Sequence, residues 1–75
     1  MTKTATQQVA DNVRAEAARR RVSQAALARH LHLSQQSLSR RFLGYIAFDV
    51  NELAAIAEVL EVPIEALYGT ATSAA

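Results

Sequence analysis

Apolar residues recur along this chain at helical spacing, and polar caps and stops divide them into five segments. Val9, Val13 and Ala17 are four apart and share one face of a first helix. Thr4 or Thr6 serves as its N-cap, and it runs into the triplet Arg19-Arg20-Arg21, whose cations suit the negative end of the helix dipole. Ser23 caps a second helix over about 24–32, with Leu27 and Leu31 facing inward and Ala28 small enough for a neighbour to approach closely. Leu33 closes a tight turn. Ser34 caps a third helix over about 35–43, with Leu38 and Phe42 inward, and Gly44 stops it. Asp49-Val-Asn-Glu52 reads as a capping box for a fourth helix, and Phe48 and Leu53 are spaced for a hydrophobic staple across its start. Leu53, Ile56, Ala57 and Leu60 form its inner face. A last short helix opens on Pro63 and ends before Gly69, and residues 70–75 are predicted to be a disordered tail.

Composition narrows the fold class. Apolar residues make up 51% of the chain but aromatics only 5%, and alanine is abundant, which suits closely packed helices better than strands. The expectation is an all-α fold in a single domain over 1–69, since 75 residues allow one modest core. There is no cysteine for a disulfide framework or a thiolate metal site. No apolar run approaches the roughly 20 residues of a membrane span, and the polar N-terminus lacks a signal-peptide stretch. These features point to a soluble, cytoplasmic protein.

The net charge of +1 conceals a division. Between residues 14 and 41 there are seven arginines, Arg14, Arg19, Arg20, Arg21, Arg29, Arg40 and Arg41, against Glu16 alone, a segment charge of +6. From residue 42 onward the charged residues are Asp49, Glu52, Glu58, Glu61 and Glu65, a segment charge of −5. A locally positive region concentrates a polyanion whatever the total charge.

The basic half coincides with residues 23–44, two short helices joined by a tight turn. Such a unit presents side chains to a DNA groove. Gln35, Gln36, Ser39, Arg40 and Leu43 are left facing outward on the third helix. In the major groove glutamine bonds bidentately to adenine N6 and N7 and arginine to guanine O6 and N7, each pair discriminating by about 1–3 kcal/mol. Gln35, Gln36 and Arg40 are therefore the candidates for reading bases, with Ser39 a further contact. Gln24 opens the second helix, where backbone amides welcome an anion. Arg19, Arg20, Arg21, Arg29 and Arg41, with Ser34 and Ser37, are placed for phosphates, and the arginines equally for pairing within the fold. His30 and His32 stand two apart, on different sides of a helix, with no further ligand to complete a metal site. No phosphate loop, paired-acid site or nucleophilic triad is present, so neither enzyme activity nor a cofactor or small-molecule ligand is expected.

The spacing of Gln24, Leu27, Ala28, Leu31, Leu33, Ser34, Leu38 and Gly44 resembles the helix-turn-helix of the Cro and phage-repressor family, often called the XRE family. The likeness runs from Val13 to the ending Leu-Glu-Val-Pro-Ile-Glu-Ala-Leu at Leu67. It implies a compact five-helix, lambda-repressor-like DNA-binding domain. Two positions depart from the pattern: His32 stands where the turn usually has glycine, and Arg41 where the third helix is usually apolar. Ser34-Gln-Gln-Ser37 resembles the start of a lambdoid recognition helix, which implies base contacts by Gln35 and Gln36. Gln24 matches a position that contacts phosphate and braces the first of those glutamines. The resemblance implies a transcriptional regulator of double-stranded DNA, of Cro-like or small immunity-repressor type, occupying an operator in a bacterial cytoplasm or nucleoid. Seventy-five residues leave no room for a separate oligomerisation domain. A homodimer or cooperative binding is expected to read two half-sites about 34 Å apart, with Val62, Ile64, Leu67 and Tyr68 either its candidate surface or, at least equally, the residues that close the core. The alternative is a protein-interaction module, such as an antitoxin or adaptor, that uses the acidic fourth and fifth helices.

Overall fold

The computed structural model describes residues 4–68, and among them all regular structure is helical. The helices are α1 (Ala5–Arg19), α2 (Gln24–Leu31), α3 (Gln35–Phe42), α4 (Val50–Leu60) and α5 (Glu65–Tyr68). Gly69 and the tail expected at 70–75 lie outside the described residues.

Side-chain caps start the first four helices. Thr4, Ser23, Ser34 and Asp49 have extended backbones, and each side-chain oxygen accepts the amide three residues on: Gln7 N at 3.1 Å, Ala26 N at 3.1 Å, Ser37 N at 3.0 Å and Glu52 N at 2.7 Å. Of the two threonines open to the role, Thr4 takes it because Gln7 then returns a bond to the Thr4 amide, a full capping box. Glu52 does the same for Asp49.

These helices also end alike. In each, an amide bonds back five residues: Val22 to Ala17 O, Leu33 to Ala28 O, Tyr45 to Arg40 O and Val62 to Ala57 O. This closure requires a left-handed residue just before the donor, and Arg21, His32, Gly44 and Glu61 supply it with φ of 58°, 57°, 86° and 58°. Arg21 consequently lies past the end of α1 and Arg20 caps it, leaving only Arg19 of the triplet in the last turn. A Cβ at Gly44 would be strained at φ 86° and would lie 3.0 Å from Gln7 Cγ, a tight contact that the exposed Gln7 side chain would have to shift to relieve.

α1 packs on α3, α4 and α5, and α2 on α3 and α4. Val13, Leu27, Leu38, Ile56, Leu60 and Leu67 are fully buried, one or more from every helix. The whole expected inner face of α4 is buried, whereas Leu31 is half-buried. At α5 two expectations are corrected. The helix begins at Glu65 rather than Pro63, because Ala66 N and Leu67 N bond to Pro63 O and Ile64 O at the tighter three-residue spacing. Of the candidate dimer residues, Leu67 is 0% exposed and offers no surface, Val62 and Ile64 are half-buried against the core, and Tyr68 is exposed. Asn12 Nδ2 donates to Leu67 O at 3.0 Å, holding α5 on α1.

His32 is solvent-exposed and bears the torsional cost of its left-handed backbone, so His32→Gly should raise stability by about 1 kcal/mol. For a domain of this size that is a midpoint roughly 4–8 °C higher by thermal unfolding, whereas Gly44→Ala should lower it.

Candidate nucleic-acid interface

On α3, Leu38 is buried and Phe42 half-buried, and both point into the fold. The Phe42 ring meets Phe48 edge-on, centroids 6.0 Å apart at 61°, and lies under the Arg14 guanidinium at 5.7 Å. Arg14 Nη2 also donates to Phe42 O at 2.8 Å, tying the C-terminal end of α3 to α1. With that side anchored, helical geometry sends Gln35 and Ser39 along one outward row and Gln36 and Arg40 along the next. Gln35, Gln36 and Arg40 are exposed and Ser39 is half-buried. None of these four side chains has a hydrogen-bond or ionic partner among the described residues. The strip is free to meet a ligand.

The N-termini of α2 and α3 add unsatisfied backbone amides and the positive end of each helix dipole. Ser34 Oγ is occupied as acceptor by Ser37 N but keeps its own proton to donate. Ser37 is half-buried. Gln24 is exposed at the first position of α2, beside a shallow groove of about 170 Å³ lined also by Arg14, Val22, Leu27 and Phe42. No hydrogen bond joins it to Gln35 among the described residues.

The arginines divide into two groups. Arg19 and Arg20 both pair with Glu16, and Arg20 Nε donates to Leu60 O at 2.6 Å, so it also closes the C-terminus of α4. Arg41 is turned inward, which corrects its assignment to phosphate. Its Nε and Nη2 meet the two Glu52 carboxylate oxygens at 3.1 Å each, and Nη1 donates to Ser37 O at 3.1 Å. The Arg41 side chain is only 14% exposed. Arg21, Arg29 and Arg40 are exposed and make no ion pair among the described residues.

The sequence carried a signal for Arg41, which follows Leu38 by three and so shares its inner side. The reach of Arg14 to Phe42 O and of Arg20 to Leu60 O had no comparable signal, since it spans 28 and 40 residues.

A family model described as Helix-turn-helix matches residues 13–67, from the buried Val13 of α1 to the buried Leu67 of α5. The chain belongs to this family, the XRE-like helix-turn-helix of Cro type. Its lambda-repressor-like fold is the five-helix arrangement described above. No curated protein and no solved structure matches the chain. The family is one of DNA-binding regulators and not an enzyme family, so the chain is a DNA-binding helix-turn-helix regulator.

Breaking the Arg41–Glu52 pair with Arg41→Ala should cost about 3 kcal/mol in denaturant unfolding, because Glu52 keeps a nearly buried charge without its partner. The double substitution Arg41→Met with Glu52→Gln removes both charges and preserves the capping box, and should unfold within about 1 kcal/mol of the parent.

Proposed function

We propose that this protein is a Cro-like or small immunity repressor in the bacterial cytoplasm that occupies an operator with α3 in the major groove. The observation that carries this reading is the free strip of two amides, a hydroxyl and a guanidinium on a helix whose opposite side is fixed to the core. Gln35 and Gln36 read adenines, Arg40 reads a guanine, and Ser39 completes the contact. Gln24, Ser34 and Ser37 sit at or near helix starts that bind backbone phosphates, and Arg21 and Arg29 supply cations free of competing partners. Arg19 is paired only through a solvent-exposed contact worth little, so it exchanges Glu16 for phosphate readily; Arg20 does so at the loss of its bond to Leu60 O. One domain covers one half-site, so occupancy of an operator requires a homodimer.

A gel-shift titration against duplexes selected from a random pool tests the reading. Gln36→Ala and Arg40→Ala should each lose about 1–3 kcal/mol of discrimination between selected and random duplex while binding to random DNA persists. Affinity per copy should fall with salt at a log-log slope of about −2 to −3, the value for two or three phosphates neutralised. Absence of binding to any duplex at low salt would move the reading to a protein-interaction module that uses the acidic helices α4 and α5. Unchanged sequence preference in both variants would place the reading residues elsewhere.

A further inference from the structure

The outward strip of α3 is polar except at its end. Leu43 caps the helix yet keeps helical torsions, φ −81° and ψ −7°, and it is 58% exposed. Its backbone is fixed. The Leu43 amide donates to Ser39 O at 2.9 Å, the next two amides return to Arg41 O and Arg40 O at 3.1 and 3.0 Å, and Arg14 donates to Phe42 O at 2.8 Å. Helical geometry sets where the side chain stands. Leu43 follows Gln36 by seven residues, two turns less about 20°, so Gln36, Arg40 and Leu43 form one outward line opposite the buried Leu38. Seven residues rise about 10.5 Å along the axis, which is about three base-pair steps of 3.4 Å.

We propose that Leu43 is a further reading residue of α3, and that it reads the C5-methyl group of a thymine. The proposal rests on the DNA-binding reading above and adds a residue to it. Every base pair shows hydrogen-bonding groups in the major groove, and thymine adds an apolar one. A leucine side chain has neither donor nor acceptor, so a phosphate oxygen or a polar base edge gains nothing from it, whereas a methyl group is desolvated favourably against it. An exposed leucine is by itself ordinary surface. What separates Leu43 from the exposed Tyr45, Ile46 and Val50 is its place on the line with Gln36 and Arg40. Those three lie beyond Gly44, whose φ of 86° breaks the helical path.

The test removes the methyl group from the DNA and its partner from the protein. In a duplex selected by the parent chain, each thymine is exchanged singly for uracil, which deletes the C5-methyl and nothing else. The parent should bind roughly four-fold more weakly for one thymine per half-site, the worth of one buried carbon group. Leu43→Ala should be indifferent to that exchange, and Leu43→Met, apolar and of similar reach, should recover the sensitivity. The thymine should lie about one base pair beyond the one whose preference changes in Arg40→Ala, since three residues rise about 4.5 Å. Because the side chain is mostly exposed, all three proteins should unfold at similar midpoints. A parent indifferent to every exchange overturns the proposal without any variant, as does a Leu43→Ala protein still sensitive at the same thymine. An equal loss by Leu43→Ala on selected and random duplexes also overturns it, because the side chain then packs on the sugar-phosphate backbone. In each of those results a changed preference in Gln36→Ala and Arg40→Ala leaves the DNA-binding reading standing. If the parent binds no duplex, that reading fails and the role of Leu43 fails with it.

Discussion

Glu52 accepts from two separate parts of the chain at once: the Asp49 amide, at the start of its own helix, and the Arg41 guanidinium, from the last turn of α3. Arg41 in turn donates to Ser37 O one turn back along α3, so a single connected network joins α3, the loop after it and the first turn of α4. This joint adds to the other holds on α3, which are the buried Leu38, the half-buried Phe42 and the Arg14 bond to Phe42 O, while the exposed strip has no side-chain hydrogen bond or ion pair among the described residues. A buried ion pair contributes little net stability compared with a hydrophobic contact of the same shape, but it accepts only a narrow range of geometries.

The helix starts were legible because capping is local chemistry: a hydroxyl or carboxylate finds an amide three residues away, and Thr4, Ser23, Ser34 and Asp49 all announce it. The helix ends were less so. Gly44 signals a left-handed stop and His32 a tolerated one, but nothing local in Arg21 or Glu61 favours that conformation. It is imposed there by the back-bonds of Val22 and Val62, both of which pack on the core, so burial of the next residue dictates the backbone of the one before. The same non-local logic separates Leu67 from Tyr68: adjacent apolar residues of one short helix, one at 0% exposure and the other at 48%, sorted by where α1 lies.

The candidate interface was legible where helical periodicity alone decides exposure, at Gln35, Gln36 and Arg40, and blurred where a long side chain chooses among partners. The basic segment of +6 does not survive folding as a uniform patch. Arg41 is spent on Glu52, Arg20 on Glu16 and a carbonyl, and Arg14 on Phe42 O, so much of the arginine content serves to close helix ends and join elements. Counting charges along a chain overstates the field it projects whenever guanidiniums have carbonyl oxygens within reach.

That accounting bears on affinity. On the proposed reading one copy neutralises two or three phosphates, and the electrostatic part of binding scales with that number. Proteins that hold operators through a single domain's worth of such contacts are displaced easily as salt rises. Two copies acting together double the number of released counterions without adding a residue. For a chain that keeps only a few arginines free of fold contacts, association is then the physical route to tight binding. A weak self-contact suffices, because the duplex itself holds both copies at high local concentration.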